Sequence, residues 1–300
     1  MIKILLTGST GFLGNNIYRD LSKSTEIITL SRSSATITAD LSKEIIKLPS
    51  VELVIHCAGK AHCIPTTAAE IQEFFQVNVK GTENLLKSLQ LCSVLPKYFV
   101  FISSVSVYGL ETGVGITEEY PLLAKDAYGL SKIEAEELVI DWCKRNNVVC
   151  TILRLPLLVG KNPPGNLGDM IKAIDKGYYF NIGGGKAKKS MVLVHDVALF
   201  IPIVAVTGGV YNLTDGAHPS FKELSLTLLI QKNRKKVYNL PLFIAKAIGC
   251  LGDLLGDKAP LNSLKIKKIT SDLTFDDSKV RLLLNWDPEA VVNYLKKSAI

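Results

Sequence analysis

Residues 2–14 read IKILLTGSTGFLG, an apolar run followed by three equally spaced glycines, Gly8, Gly11 and Gly14. The apolar run predicts a buried strand, and the residues after it have the composition of a helix. Glycines between a strand and a helix let the backbone approach a diphosphate, to which the helix N-terminus offers unpaired N–H groups. The stretch therefore predicts a dinucleotide-binding loop, and a purely structural turn is the alternative.

The first half of the chain alternates short apolar runs with amphipathic stretches. Apolar strands separated by helices are typical of a parallel sheet that is covered on both faces. The predicted fold is α/β, a doubly wound parallel sheet of the Rossmann type with a smaller, interleaved C-terminal substrate-binding lobe. The predicted strands are 2–7, 26–31, 53–58, 98–104 and 148–155, and the predicted helices are 14–23, 69–92 and 129–146.

The pattern changes after about residue 160, where the chain becomes rich in proline and glycine (GKNPPGNLG). We expect 1–160 to form the dinucleotide-binding domain, with 191–216 returning to it. The substrate-binding lobe is then expected to consist of 161–190 and 217–300.

Composition narrows the function classes. The 35 basic and 28 acidic side chains of the 300 residues give a charge of +7, too small an excess to predict nucleic-acid binding without a basic stripe. Six cysteines without CxxC spacing indicate neither a metal site nor a disulfide framework, which fits a cytoplasmic protein. The apolar stretch 191–210 contains His195, Asp196 and Pro202, so no membrane-spanning segment is predicted. A helix near 241–256 could lie on a membrane surface, but packing against the protein is preferred.

The predicted second strand ends at Ser31 and Arg32, with no acidic residue beside them. A carboxylate there usually binds the ribose of NAD, whereas arginine suits the 2′-phosphate of NADP, so NADP(H) is favoured over NAD(H). Asp40 is placed to accept from the adenine amino group. For His56 and His62, a packed or surface position is preferred to catalysis. The full set of cofactor-binding candidates is Gly8, Gly11, Phe12, Leu13, Gly14, Ser31, Arg32, Asp40, Leu41, Ala58, Gly59, Tyr128 and Lys132.

Three residues further along carry candidate chemistry. Ser104 ends a predicted strand, and Tyr128 and Lys132 share one face of a predicted helix because they are four residues apart. A tyrosine is a poor base at neutral pH, but a nearby ammonium favours the phenolate. We therefore expect Lys132 to tune Tyr128 for proton transfer, while Ser104 binds the substrate oxygen.

These motifs, with HCAG at 56–59 and NVKGT at 78–82, resemble the extended short-chain dehydrogenase/reductases, in particular the NAD(P)-dependent epimerase/dehydratase family that includes UDP-galactose 4-epimerase. The resemblance extends to DDSKVRLLLNWDP near the C-terminus. It implies that Ser104, Tyr128 and Lys132 form a catalytic triad. It also implies substrate contacts at Ser104, at Asn166 and at Lys189, where the epimerases have an arginine.

The family's dehydratases carry an acidic pair where this chain has Val105 and Ser106, so elimination of water is disfavoured. The resemblance then implies hydride transfer at C4 of a nucleotide-linked hexose, with a UDP-hexose 4-epimerase first and an NADPH-dependent 4-keto sugar reductase second. A reductase of a small hydrophobic ketone and a non-catalytic NAD(P)-binding sensor are further alternatives. Leu157, in place of a substrate-side asparagine, puts UDP-galactose itself in doubt. The resemblance also implies a homodimer through the helices containing NLLKSL and EAEELV; burial of their apolar faces within one chain is the alternative.

Overall fold

The computed structural model describes residues 2–61, 63, 65–234, 236–254 and 262–298. The histidine at 62 lies outside them, so its predicted position is not tested. The strands of the described residues are β1 (Lys3–Thr7), β2 (Glu26–Ser31), β3 (Ile37–Thr38), β4 (Leu53–His56), β5 (Tyr98–Ser104), β6 (Gly113–Ile116), β7 (Val149–Leu155), β8 (Leu157–Val159), β9 (Phe180–Ile182), β10 (Met191–Leu193), β11 (Gly209–Asn212), β12 (Tyr238–Leu240) and β13 (Leu273–Phe275).

The helices include one π-helical segment, Phe75–Lys80, which joins α2 to α3. Two short 3₁₀ turns cover Val105–Tyr108 and Gly183–Gly185. The α-helices of the described residues are α1 (Phe12–Leu21), α2 (Ala68–Phe74), α3 (Gly81–Gln90), α4 (Ala127–Asn146), α5 (Gly165–Asp175), α6 (Val194–Ala205), α7 (Phe221–Gln231), α8 (Leu242–Asp253), α9 (Ser263–Thr270), α10 (Ser278–Leu284) and α11 (Val291–Lys297).

The central sheet confirms the predicted doubly wound α/β fold. In the described chain it has seven strands in the order β11-β7-β5-β4-β1-β2-β3, and all of its pairings are parallel. The chain first moves outward from β1 to β3 and then returns to place β4 on the other side of β1. Ligands of such sheets bind at the carboxyl ends of the strands, where the order reverses.

Each face of the sheet is buried by two main helices. On β1, Ile4 and Leu6 point into a core shared with α1 and α6, while Leu5 points into a core shared with α3 and α4. Successive strand residues face opposite sides, so only a doubly covered strand can be apolar at consecutive positions. The continuous apolar run that opens the sequence follows from this burial.

The predicted helix over 69–92 is interrupted in the structure. A capping box of Thr67 and Glu70 begins α2, and the helix then widens into the π-helical segment before α3 starts. Such π-segments change the direction of the side chains and often occur at functional sites. Here the segment contains Asn78, which is buried.

The C-terminal part has its own apolar core, formed between α5, α7, α11 and the strand β10. Smaller parallel strand pairs, β8 with β10, β9 with β12 and β6 with β13, connect its segments. Strand β11 leaves this region and pairs with β7 at the edge of the central sheet. The division of the chain into a cofactor domain and a substrate lobe at the stated boundaries stays a prediction.

Helix α8 does not pack as expected from its apolar sequence. Its buried residues are the small ones, Ala245, Gly249 and Gly252, and its large apolar side chains face outward. A Cβ at Gly249 would lie 2.4 Å from Cδ1 of Ile266, so α9 approaches too closely for a larger residue. Within the described residues, no helix combines the length and apolarity needed to cross a membrane.

The leucines of NLLKSL, on α3, are buried against the sheet, as are Ala135 and Val139 on α4. The apolar faces invoked for a homodimer are therefore buried within one chain. The homodimer stays a prediction that these residues do not support.

Candidate active site

The glycine loop is folded tightly between β1 and α1. Gly8 has a φ of +70°, and a Cβ at this position would lie 2.6 Å from the backbone nitrogen of Ala58. A Cβ at Gly14 would lie 2.2 Å from the carbonyl oxygen of Gly8. Both positions require glycine on steric grounds. Gly11 is less crowded, since its hypothetical Cβ would lie 3.3 Å from the same oxygen. Packing alone therefore does not require glycine at position 11.

The start of α1 has the features of an anion-binding site. Gly11 is the N-cap and provides no side-chain hydrogen bond to the first N–H groups. The Ser9 Oγ, in the middle of the loop, is buried and has no hydrogen-bond partner in the described part of the chain. Unpaired backbone donors and a buried unpaired hydroxyl fit the diphosphate of a dinucleotide.

Phe12 and Leu13, both predicted to bind the cofactor, turn their side chains to the protein. Leu13 is buried in the core beneath α1, and Phe12 packs against that core. Only their backbone groups remain for a ligand, which is how the first turn of a helix binds phosphate.

Ser31 and Arg32 differ in their surroundings. The Ser31 hydroxyl lies 3.0 Å from Thr10 Oγ1 and donates to the Ser33 carbonyl over 2.8 Å, so it joins the glycine loop to the end of β2. Arg32 is exposed and makes no hydrogen bond or ion pair with the described residues. The guanidinium is therefore available to an anionic ligand.

Asp40 and Leu41 lie in the turn after β3. One carboxylate oxygen of Asp40 accepts from the backbone N–H and the hydroxyl of Ser42, over 3.1 and 2.6 Å. The hydrogen bond from the Ser42 hydroxyl lowers the pKa of Asp40 below its usual value. The Leu41 side chain is buried, and its carbonyl accepts from Asn84. Asp40 is thus an ionised acceptor in a turn that Ser42 holds.

The thin segment at Ala58 and Gly59 is held by Asn78, which the sequence analysis did not single out as a site residue. The Asn78 side chain accepts from the Lys60 N–H over 2.6 Å and donates to the Lys60 carbonyl and to Ser131 Oγ. It therefore ties this segment to α4. Asn78 is the first residue of the NVKGT motif, but its bonds to Lys60 and Ser131 depend on the π-helical segment, which the sequence does not predict.

His56 is a packed residue, as preferred. Its Nδ1 lies 2.6 Å from Thr7 Oγ1 and its Nε2 lies 2.9 Å from Thr82 Oγ1. Thr82 donates its hydroxyl proton to the Asn78 carbonyl, so it accepts from Nε2, and Thr7 donates to Nδ1. Burial lowers the pKa of His56 to about 3, and the ring is neutral.

Ser104 and Tyr128 come together at the carboxyl end of β5. Burial raises the pKa of Tyr128 above its usual value, and a hydrogen bond with Ser104 lowers it in part. The Ser104 hydroxyl also lies 3.2 Å from Ser106 Oγ. Two hydroxyl groups thus meet beside the strand end where parallel sheets bind their ligands.

Lys132 is buried beside this pair, but its ammonium points elsewhere. Its Nζ donates to the Ile102 carbonyl over 2.6 Å and lies 3.9 Å from the centre of the Phe101 ring. Burial lowers the pKa of Lys132 to about 8. The role expected of Lys132, to favour the Tyr128 phenolate, stays a prediction.

A buried ion pair supports the strand and helix that carry these groups. Glu136, one turn after Lys132, pairs with Arg154 of β7 and accepts from the Ser103 hydroxyl. Arg154 also donates to the Tyr108 hydroxyl. The sequence did not reveal this pair, because two buried charged residues 18 positions apart produce no recognisable pattern of apolar and polar residues.

The two predicted substrate contacts lie in the C-terminal part. Asn166 is exposed in the first turn of α5. Lys189 is half-buried, and its Nζ donates to the Lys268 carbonyl over 3.0 Å. Burial and the charge of Lys268 lower the pKa of Lys189. Their substrate roles stay predictions.

Comparison with known proteins decides the family. Residues 4–213 match the model of the NAD dependent epimerase/dehydratase family. The chain belongs to this family. A UDP-glucose 4-epimerase of Vibrio cholerae is 30% identical over 95% of this chain and 90% of its own. An N-acetyl-alpha-D-glucosaminyl-diphospho-ditrans,octacis-undecaprenol 4-epimerase of Escherichia coli O157:H7 is 26% identical over 92% of this chain and 88% of its own.

The fold agrees with the family. A crystal structure of a UDP-N-acetylglucosamine 4-epimerase from Bacillus cereus superimposes with a TM-score of 0.75 at 21% identity, over 99% of this chain and 98% of that one. The chain is thus an enzyme of the extended short-chain dehydrogenase/reductase type, as predicted, and its cofactor is a nicotinamide dinucleotide.

Proposed function

We propose that this enzyme interconverts the C4 epimers of a UDP-linked hexose. The observation that carries the proposal is the meeting of the Ser104 and Tyr128 hydroxyls at the end of β5, beside buried Lys132. The names of the relatives support C4 as the reacting carbon.

The cofactor would be held by the glycine loop, with its diphosphate on the backbone of Gly8 to Gly14 and its adenosine near Arg32 and Asp40. The unpaired Ser9 hydroxyl and the uncapped start of α1 support this placement. When bound, the nicotinamide supplies the acceptor and the donor of hydride.

The protein's own groups would handle the proton. Tyr128 Oη exchanges a proton with the C4 oxygen, and Ser104 Oγ binds that oxygen and keeps it in line. Tyr128 acts first as the base: as C4 gives up its hydride, the phenolate takes the proton of the C4 hydroxyl, and the phenol returns that proton when C4 is reduced again. Burial raises the pKa of Tyr128, so the phenolate needs a nearby positive charge, which Lys132 would supply. Lys132, whose ammonium donates to the Ile102 carbonyl, would also bind the cofactor's ribose.

Epimerisation is favoured over dehydration by the two residues after Ser104. Val105 and Ser106 replace an acidic pair, and Ser106 Oγ accepts a hydrogen bond from Ser104 Oγ over 3.2 Å. Elimination of water needs an additional acid and base, which these two residues do not provide.

Net reduction of a 4-keto sugar is a second candidate, favoured by Arg32. Its exposed guanidinium at the end of β2 suits the 2′-phosphate of NADP(H), and NADPH serves net reductions. We propose on the same ground that NADP(H) binds more tightly than NAD(H).

The sugar could be attached to UDP or to a lipid diphosphate. The Escherichia coli relative is named for a sugar on an undecaprenyl diphosphate. The outward apolar side chains of α8 favour such a lipid carrier as the second candidate substrate. Assays should therefore include N-acetylglucosamine linked either to UDP or to undecaprenyl diphosphate.

The test is direct observation of the sugar by NMR, with purified enzyme, UDP-glucose or UDP-N-acetylglucosamine, and NAD⁺ or NADP⁺. We expect the C4 epimer to appear, and Tyr128→Phe to slow it by about 10²- to 10⁴-fold. Tyr178→Phe, at a tyrosine with 61% exposure, is the control and should match wild type. Consumption of NADPH by a 4-keto sugar, without epimerisation, would assign the reductase instead. Dinucleotide binding with no turnover of any sugar would reject both.

A further inference from the structure

Most of the exposed residues of α8 are apolar, with Lys246 and Asp253 as the charged ones. Exposed apolar residues of α8, together with Leu254 directly after it, recur at the spacing i, i+4, i+7, i+8 and i+11, which is one stripe of an α-helix. We call this the outer stripe, and its residues are Phe243, Ala247, Cys250, Leu251 and Leu254.

The exposure of the outer stripe is large. Phe243 is 74% exposed, Leu251 67% and Leu254 83%. The opposite side of α8 consists of Ala245, Gly249 and Gly252, which α9 covers. The usual arrangement of a surface helix, with large apolar residues inside, is thus reversed. Contiguous exposed apolar surface of this kind marks an interaction site.

Aromatic side chains adjoin the start of α8. Phe180 on β9 and Tyr238 on β12 are partners in the strand register and are 45% and 55% exposed. Only Pro241 separates β12 from α8, and a Cβ at Gly183, directly after β9, would lie 3.6 Å from Cβ of Leu242. The strand pair therefore lies beside the start of α8.

Basic side chains outnumber acidic ones around this surface. Lys236 and Lys246 adjoin it, and the one carboxylate on α8 is Asp253, which accepts hydrogen bonds from Ser263. Arg234 is paired with Asp175 over 3.7 Å. Lys236 Nζ lies 5.1 Å from the centre of the Tyr238 ring. Lys246 is exposed on α8, three residues after Phe243. Apolar side chains flanked by cations fit a partner that is apolar and negatively charged.

We propose that the outer stripe, with the adjoining strand pair, docks this enzyme onto the surface of an anionic lipid bilayer. An interfacial helix buries its apolar side chains at the boundary between headgroups and acyl chains, where basic side chains meet anionic headgroups. Tyr238 is amphipathic and suits the headgroup level. The proposal rests on exposure and charge and does not depend on the proposed reaction.

A second copy of the chain fits the same face less well. A symmetric dimer through the outer stripe would bring Lys236 and Lys246 of both copies to one interface. Asp253 is the one carboxylate on α8, and its two oxygens already accept from the N–H and the hydroxyl of Ser263. Like charges in a shared interface oppose association, whereas anionic lipid attracts both lysines.

The test is co-sedimentation of the full chain with vesicles of phosphatidylcholine alone or mixed with phosphatidylglycerol. We expect at least tenfold stronger binding to the anionic vesicles, weakened by salt. Phe243→Ser/Leu251→Ser should reduce binding at least tenfold. Lys236→Gln/Lys246→Gln should reduce it on the anionic vesicles only. The matched control is Leu282→Ser/Leu283→Ser on α10, whose leucines are 83% and 62% exposed.

Circular dichroism melts and turnover of a UDP-linked sugar without vesicles should match wild type in all three variants, which separates lost docking from lost folding. The proposal is overturned if wild type binds neither kind of vesicle, or if the α10 control lowers binding as much as the α8 pair. It is also overturned if sedimentation velocity shows a dimer that only the α8 pair dissociates and vesicles do not bind.

Discussion

Glu136 and Arg154 form a two-point ion pair in the core, with 3.2 Å from Arg154 Nε to Oε1 and 2.8 Å from Nη2 to Oε2. Both side chains are almost fully buried. The pair joins α4, which carries Tyr128 and Lys132, to β7, and the Ser103 hydroxyl joins it to β5. One carboxylate thus fixes the elements on which all three proposed catalytic residues stand. Its charge also raises the pKa of Lys132 against the effect of burial.

Glu136→Gln should therefore destabilise the protein and lower the pKa of Lys132. Removing one member of a buried pair leaves the other uncompensated, at a cost of about 3–5 kcal/mol in the free energy of unfolding. Chemical denaturation measures this cost. Glu137→Gln, at the exposed neighbouring position, should change it by less than about 0.5 kcal/mol. Equal effects at the two positions would contradict the anchoring role.

Gly11 and Gly14 should respond differently to alanine. At Gly14 the added Cβ would lie 2.2 Å from a backbone oxygen, so Gly14→Ala should lower the unfolding free energy by about 3 kcal/mol or more. At Gly11 the clash is mild, so Gly11→Ala should change stability by less than about 1 kcal/mol while weakening NAD(P)H binding. Thermal melts and fluorescence titrations separate the two. A stable Gly14→Ala protein would refute the packing role.

His56 should make stability depend on pH. Its pKa falls from 6.5 to about 3 on folding, so between these values the unfolded chain binds the proton and the folded chain does not. Stability is therefore lost as the pH falls through this window, by about 2 kcal/mol between pH 7 and pH 5. Denaturation curves measured at pH 7 and pH 5 should show that wild type loses about 2 kcal/mol more unfolding free energy than His56→Gln, whose side chain does not titrate. Equal losses in the two proteins would mean that His56 is not buried neutral.

Arg32→Ala should weaken binding of NADPH about 10- to 100-fold and change binding of NADH little. Only NADPH carries a 2′-phosphate, so only its complex loses a charged hydrogen bond with the guanidinium. Lys23→Ala, which removes another exposed cation, should affect neither. Titration with both dinucleotides is the measurement. An equal loss for both would remove Arg32 from phosphate recognition.

The fold could be predicted because its signals are local and repeated. Five predicted strands match β1, β2, β4, β5 and β7 within a few residues, since runs apolar at every position have few explanations other than a buried parallel strand. The break at Phe75–Lys80 could not be predicted, because a π-turn depends on the tertiary contacts of Asn78.

Two of the residues predicted for the candidate site lie on the expected helix, but their electrostatic surroundings could not be predicted. The spacing of Tyr128 and Lys132 places them on α4 as expected, but the partner of the ammonium depends on β5, where the Ile102 carbonyl and the Phe101 ring lie. The burial that raises the pKa of Tyr128 is likewise a property of the assembled chain. Helix α8 shows the same limit, since its sequence gives the apolar residues but not which of them face outward.

Asn212, on the last strand to join the central sheet, accepts from Tyr108 and donates to the carbonyls of Ile116 and Asp276. One buried amide thus joins segments that are 104, 96 and 64 residues away along the chain. A gene fragment that ended at residue 160 would lack both β11 and this amide. The two parts of the chain are therefore not separable by one cut, since any exchange of the residues after 160 also exchanges an edge strand of the central sheet.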